Sequence, residues 1–164
     1  MRNLKKIAFI FYGIITLTFF GILIKLEYAT DTYSVFNFSK EEVYTQFAML
    51  GRFITAIIFK TIKIIKMPEQ VIYFTSWIVA IICAFFSQYK LYKIIEKDIK
   101  NKILKLIIPT LIIINPFSIE LFLYIEKGIM WLGILFCIIA LENIIRYLEN
   151  KSSKKNIIYA IILF

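Results

Sequence analysis

Between Lys6 and Lys25 the chain runs from Ile7 to Ile24 without a single charged residue. A bilayer core of roughly 30 Å is crossed by about 20 mostly apolar residues in helical form, whereas the buried helices of water-soluble domains rarely need such a run. Val71 to Gln88 is a second uncharged stretch. Two more are less pure. Ile103 to Ile119 carries Lys105, Pro109 and Pro116, and Gly128 to Ile145 carries Glu142 and Asn143 near its end. Charges at helix ends can snorkel, and prolines are tolerated where neighbouring helices re-satisfy the backbone. With 60% hydrophobic and 17% aromatic residues, the expected fold is an all-α integral membrane protein. It is a polytopic helical bundle forming a single membrane domain over residues 1–164, with about four complete spans near 7–24, 71–88, 103–119 and 128–145. A further apolar run starts at Ile157 and is too short by Phe164 to cross, so the sequence reads as the N-terminal part of a larger domain with a truncated fifth span.

The net charge of +9 does not point to a nucleic-acid partner, because such a partner requires the charge to gather on one soluble face. Here the basic residues are spread over connections and obey the positive-inside pattern. Arg2, Lys5 and Lys6 place the N-terminus in the cytoplasm of a multi-pass plasma-membrane protein. The lysines from Lys90 to Lys105, and Arg146 to Lys155, mark two more cytoplasmic connections. The stretch from Lys25 to Leu50, with Glu27, Asp31, Glu41 and Glu42, and the turn bearing Glu120 and Glu126 are acidic and are expected outside. Cys83 and Cys137 fall within spans, and there is no histidine to act as general base or metal ligand.

Val43 to Lys66 is also apolar, and a crossing there would invert every later connection. At 100° per residue, with Arg52 as zero, Thr45, Thr55, Lys60, Lys63 and Lys66 fall within an arc of about 140°. A lysine near a bilayer centre costs roughly 2.5 to 3.5 kcal/mol on insertion scales. The expectation is therefore one amphipathic interfacial helix, about 43–66, in the first outer loop, with its lysines in water and its apolar side in lipid.

The sequence holds no G-x-S-x-G, GxGxxG or Walker loop, so chemistry must come from carboxylates, amides and basic groups near the outer face. Asp31, in Thr30-Asp31-Thr32-Tyr33, lies a few residues beyond the first span. Reduced solvation at a membrane boundary raises a carboxylate's basicity toward an acceptor hydroxyl, although a solvated loop aspartate has the same spacing. Arg52, after Gly51, can hold phosphate oxygens bidentately or bind lipid headgroups. Asn115-Pro116 should distort the third span and expose backbone groups, or simply end it. Glu120 and Glu126 offer an acid, a base or a metal ligand, or remain solvated carboxylates.

Asp31-Thr32-Tyr33 after the first span, Gly51-Arg52 in an amphipathic segment, and Asn115-Pro116-Phe117 with Glu120 near the outer end of a later span together resemble the GT-C class of polyprenyl-phosphate-sugar-dependent membrane glycosyltransferases. The resemblance is to the bacterial glucosyltransferases that decorate O-antigen and related cell-surface glycans. It implies transfer of a hexose, plausibly glucose, from a polyprenyl-phosphate donor to a cell-surface glycan acceptor. Asp31 would be catalytic, and Arg52, Tyr33, Asn115 and Glu120 would bind substrate. The partners it implies are membrane lipid, the lipid-linked donor and the glycan. No cofactor is certain. Members of the class often carry two neighbouring acidic residues in the first loop, where Thr32 follows Asp31 here, so a divalent metal would need Glu27, Glu41 or Glu42 as its second carboxylate. Two other classes fit the same layout: a polymerase, ligase or flippase of cell-surface polysaccharide, and a non-enzymatic membrane subunit.

Overall fold

The computed structural model describes residues 2–22, 35–149 and 154–163, and among these every regular element is a helix. They are α1 (Arg2–Ile22), α2 (Lys40–Met49), α3 (Phe53–Ile64), α4 (Glu69–Ile95), α5 (Lys102–Ile113), α6 (Pro116–Leu123), α7 (Lys127–Glu149) and α8 (Lys154–Leu163). Helices α1, α4 and α7 are long and apolar enough to cross a membrane, and α5 with α6 makes a fourth if that bent pair is one span. Their outward faces carry large apolar side chains such as Ile10, Ile14, Leu17, Phe74, Ile78 and Leu111, all exposed. So much unpaired apolar surface on a set of long helices is suited to lipid and not to water.

The bundle is organised around α4 and α7, which run parallel in a constant register of 52 residues. Gly128 N–H donates to Ser76 Oγ at 2.9 Å, Lys90 Nζ to Glu142 Oε2 at 2.6 Å, and Lys97 Nζ to Glu149 at 3.2 Å, each pair 52 apart. At the first of these contacts the helices nearly touch. A Cβ built on Gly128 would lie 2.8 Å from the Ser76 carbonyl oxygen, so only glycine fits. At the opposite end, Glu142 takes Lys90 on one oxygen and Arg146 on the other.

Helix α1 packs on α4 in the reverse sense, with Lys5 Nζ 3.2 Å from Glu96 Oε2 and Gln88 Nε2 donating to Thr16 Oγ1 at 2.7 Å. The start of α1, the ends of α4 and α7 and the start of α5 therefore share one end of the bundle. Phe20, Phe122 and Trp131 pack together toward the opposite end, the two phenyl rings stacking at 4.0 Å. Pro109, inside α5, cannot donate to the carbonyl one turn back, that of Lys105. The Tyr12 hydroxyl donates to that same oxygen at 3.2 Å, so α1 supplies the hydrogen bond that the proline removes.

One expectation is borne out and another revised. Asn115-Pro116 breaks the third apolar stretch, so 103–119 is not one unbroken helix. Asn115 ends α5 and caps α6 by accepting from Ser118 N–H at 3.1 Å, and α5 and α6 meet at 44°. The single interfacial helix at 43–66 is an antiparallel hairpin of α2 and α3. Gly51, at φ 73, holds the left-handed position of a Schellman turn in which its N–H donates to Ala48 O and that of Arg52 to Phe47 O. The lysine stripe stays partly in water but lies beside α2. Lys60 pairs with Glu41 of α2 at 2.9 Å and Lys63 donates to the Phe36 carbonyl at 2.6 Å, while Thr55 is buried. Ala56 and Phe59, on the same side of α3 as the lysines, pack with Val43 and Phe47 of α2, and the opposite side, from Phe53 to Ile65, is exposed.

Cysteines placed at Ser39, ahead of the hairpin that leads into α4, and at Asp98, just beyond its last turn, in a chain with Cys83 and Cys137 replaced by alanine, test the crossing. An impermeant thiol reagent on intact cells should modify one position and spare the other; equal labelling would contradict a spanning α4. Tyr12→Phe should cost about 1 kcal/mol of stability by orphaning the Lys105 carbonyl. Chemical unfolding of the purified protein measures it, and an unchanged midpoint would show that the carbonyl finds another donor.

Candidate functional site

Where the hairpin meets α6 and α7, a groove of about 1070 Å³ opens along the bundle. Arg52 and Glu126 meet at one end of it, and Gln46, Asn115, Glu120 and Tyr124 also line it. Beyond them the walls are apolar: Ile112 and Ile113 from α5, and Met130, Ile134, Ile138 and Leu141 from one face of α7. From Glu126 to Leu141 the groove follows α7 for about 22 Å at 1.5 Å per residue. Nothing stands within 4 Å of a Cβ built on Gly133, so the groove is open at that level. The result is an amphipathic channel, polar at its mouth and apolar along its length, of the size at which pockets take small-molecule ligands.

The mouth is held from three sides. Gly51 turns the chain between α2 and α3, and Arg52, the next residue, places Nη1 2.9 Å from Glu126 Oε1. Glu126 is 5% exposed and Arg52 keeps 43% of its side chain open. The turn carrying Glu126 is pinned from α4, where Ser76 Oγ donates to the Ile125 carbonyl at 2.6 Å while accepting from Gly128 N–H. Next to it Lys127 is buried, its ammonium 4.1 Å from the centre of the Tyr73 ring. Outside the spans, the Lys60 ammonium holds the Glu41 carboxyl below its ordinary range, and the Ser39 N–H does the same for Glu42.

Of the residues read from the sequence, Arg52, Asn115 and Glu120 line this one groove, although Arg52 lies more than sixty positions from the other two. Asp31 and Tyr33 lie outside the described residues, as does Glu27. Asn115 is more committed than its sequence reading implied. Its Oδ1 accepts from Ser118 N–H and its Nδ2 donates to the Ile112 carbonyl at 2.9 Å, so its amide ends α5 and starts α6. Glu120 is exposed at the rim. Glu126, rather than Glu120, is the carboxylate engaged by Arg52. Sequence spacing named both without separating them, because the difference is burial. Ser76, Gln46 and Tyr124 carried no signal beyond ordinary span and loop residues. Among the described residues no group of three or more Cys, Asp and Glu side chains converges as metal ligands.

The Arg52 and Glu126 side chains should be energetically coupled. Because the arginine is partly exposed, a double-mutant cycle with Arg52→Ala and Glu126→Gln should give a coupling of about 1 kcal/mol. Unfolding of the four proteins measures it, and strictly additive losses would mean that the pair contributes nothing. Comparison with known protein families, curated proteins and solved structures finds no match to this chain.

Proposed function

We propose that the chain carries the donor groove of a membrane glycosyltransferase that moves a hexose, plausibly glucose, from a polyprenyl phosphate to a cell-surface glycan. The observation that carries this reading is the groove itself: a charged mouth containing Arg52, Glu120 and Glu126, continued by an apolar track down a candidate span. A lipid-linked sugar phosphate has the same order of parts, a polar head and a long apolar tail. In this scheme the prenyl chain lies along α7 and the phosphate meets Arg52. The guanidinium has five N–H donors and spends Nη1 on Glu126, leaving others for phosphate oxygens.

Transfer breaks the bond from the anomeric carbon to the phosphate oxygen and forms one to an acceptor hydroxyl oxygen. The hydroxyl proton passes to Asp31 acting as base, and the polyprenyl phosphate leaves with its added negative charge beside Arg52. In this scheme the exposed Glu120 orients the acceptor. The mouth sits at the end of the bundle away from Lys5, Glu96 and Lys97, which in this scheme is the outer face of the plasma membrane, with the N-terminus cytoplasmic. One observation favours a second reading, a non-catalytic membrane subunit. Arg52 already has an anionic partner and the Asn115 amide is spent on capping.

The two are separated by transfer of labelled hexose from polyprenyl-phosphate hexose to envelope glycan, in membranes carrying the intact protein. Asp31→Asn should lower the rate by roughly 10²–10⁴ and Arg52→Ala by about 10²–10³, at matched expression. Full transfer by Asp31→Asn would remove that residue from the mechanism. No transfer by wild type across several lipid-linked sugars would leave the subunit reading.

A further inference from the structure

At the end of the bundle where α1 starts and α4 and α7 finish, ionic partners are unevenly shared. Lys5 lies against Glu96, Lys90 and Arg146 against Glu142, and Lys97 against Glu149. Three carboxylates are thus engaged by four cations, and of the acids at this end only Asp98 stays outside an ion pair among the described residues. Lys6, Lys93, Lys100, Lys102 and Lys155 are exposed, and none of them is in an ion pair with a described residue. Lys93 stands over the Tyr89 ring at 4.7 Å, but an aromatic face attracts a cation without cancelling its charge. Five open lysines therefore stand against one open carboxylate.

Three of these lysines also terminate apolar faces. At 100° per residue, Lys6 lies within about 40° of Ile10 and Leu17 on α1, Lys93 within about 20° of Ile82 and Phe86 on α4, and Lys155 within about 40° of Tyr159 and Ile162 on α8. All six of those apolar residues are exposed. Helices α1 and α4 are candidate spans, and α8 begins five residues after α7 ends. Each lysine sits near the end of its helix, with the exposed apolar stripe leading away from it. On a span, such a stripe meets acyl chains and the ammonium at its end meets headgroup phosphates.

We infer that this end of the bundle selects anionic phospholipids, each headgroup phosphate on an open lysine and the acyl chains of the same lipid along the stripe beneath it. The distribution of basic residues biases orientation, and their pairing within the fold does not enter that count. Selection among lipids depends on the cations left open, and only the folded chain separates these from the ones spent on Glu96, Glu142 and Glu149. A zwitterionic headgroup brings its own cation to its phosphate and gains little from another, whereas an anionic headgroup carries a net charge that the surplus lysines attract. Lipid is favoured over a soluble acidic protein because the lysines end apolar stripes that a soluble partner would leave uncovered. The inference depends neither on sugar transfer by the groove nor on which side of the membrane this end faces.

Phosphatidylglycerol and phosphatidylcholine, each spin-labelled on an acyl chain, test it in phosphatidylcholine vesicles holding the intact protein. The motionally restricted part of each spectrum gives the relative association of the two lipids. At low salt phosphatidylglycerol should associate severalfold more strongly, and salt at about 1 M, where the Debye length is about 3 Å, should bring the ratio close to unity. The triple variant Lys6→Gln, Lys93→Gln, Lys155→Gln should lose most of the preference, while Lys40→Gln with Lys66→Gln, in and beyond the hairpin, should keep it. Equal association of both lipids with the wild-type chain would overturn the inference. A preference that survives salt would mean that charge does not hold the headgroup, and one that survives the triple variant would place the selecting cations elsewhere; either overturns it as well. The salt series uses the wild-type chain, so it decides even where the triple variant fails to fold.

Discussion

The parallel register of α4 and α7 is the constraint on which the rest of this structure depends. Between membrane helices the surrounding lipid is as apolar as leucine, so clustering of apolar side chains gives little preference for one alignment over another. Alignment comes from close backbone approach and from polar contacts that have no alternative partner in hydrocarbon. Ser76 against Gly128 supplies the first, and Lys90 with Glu142 the second. These contacts lie fourteen residues apart on each helix and agree on one offset. A slip by a single turn would push a backbone into a side chain at one end and separate a buried carboxylate from its ammonium at the other, a combination that costs several kcal/mol. Two parallel helices need an ascending connection between them, which is the role of α5 and α6. The groove is the space left where that connection bends away from α7.

The bend was legible in part. Asn115-Pro116 has the capping side chain and the missing N–H that end one helix and start another, and both act here as their chemistry dictates. The long apolar runs likewise announced α1, α4 and α7, with ends displaced by a few residues because partnered lysines such as Lys90, on Glu142, and Lys93, over Tyr89, let α4 continue past its apolar stretch. Tyr12 could not be matched to Pro109 from sequence, since nothing local ties a hydroxyl in the first helix to a carbonyl 93 residues away.

The hairpin was misread for a specific reason. A helical wheel drawn through 43–66 assumes one unbroken axis, and Gly51 destroys that assumption at the point where the wheel was centred. The wheel still found two faces correctly, but it could not tell which face meets the rest of the protein. Putting lysines in water is the cheaper choice for a solitary helix. Once α2 folds back, Glu41 and the Phe36 carbonyl offer Lys60 and Lys63 partners, and the apolar face is left outside. Amphipathicity in a membrane protein therefore fixes a division of surface and leaves its orientation to the tertiary partners.

The same fold-back gives Arg52 its character. An arginine at the tip of an isolated apolar hairpin would be costly near hydrocarbon, and in this chain it is offset by a carboxylate presented at the start of α7. The pair joins Arg52, the only charged residue from Val43 to Phe59, to the mouth of the groove, so the seating of the hairpin tip and the occupancy of the groove act on one ionic contact. A ligand phosphate on the guanidinium's remaining N–H donors would share its charge with Glu126 and so weaken the contact that holds the tip to α7. Tight attachment of the hairpin and tight binding of an anion at Arg52 thus oppose each other. A groove that works by binding anions at its mouth therefore requires the hairpin to be held mainly by apolar contacts, which is the part played by Phe47, Phe59, Ile72 and Ile125.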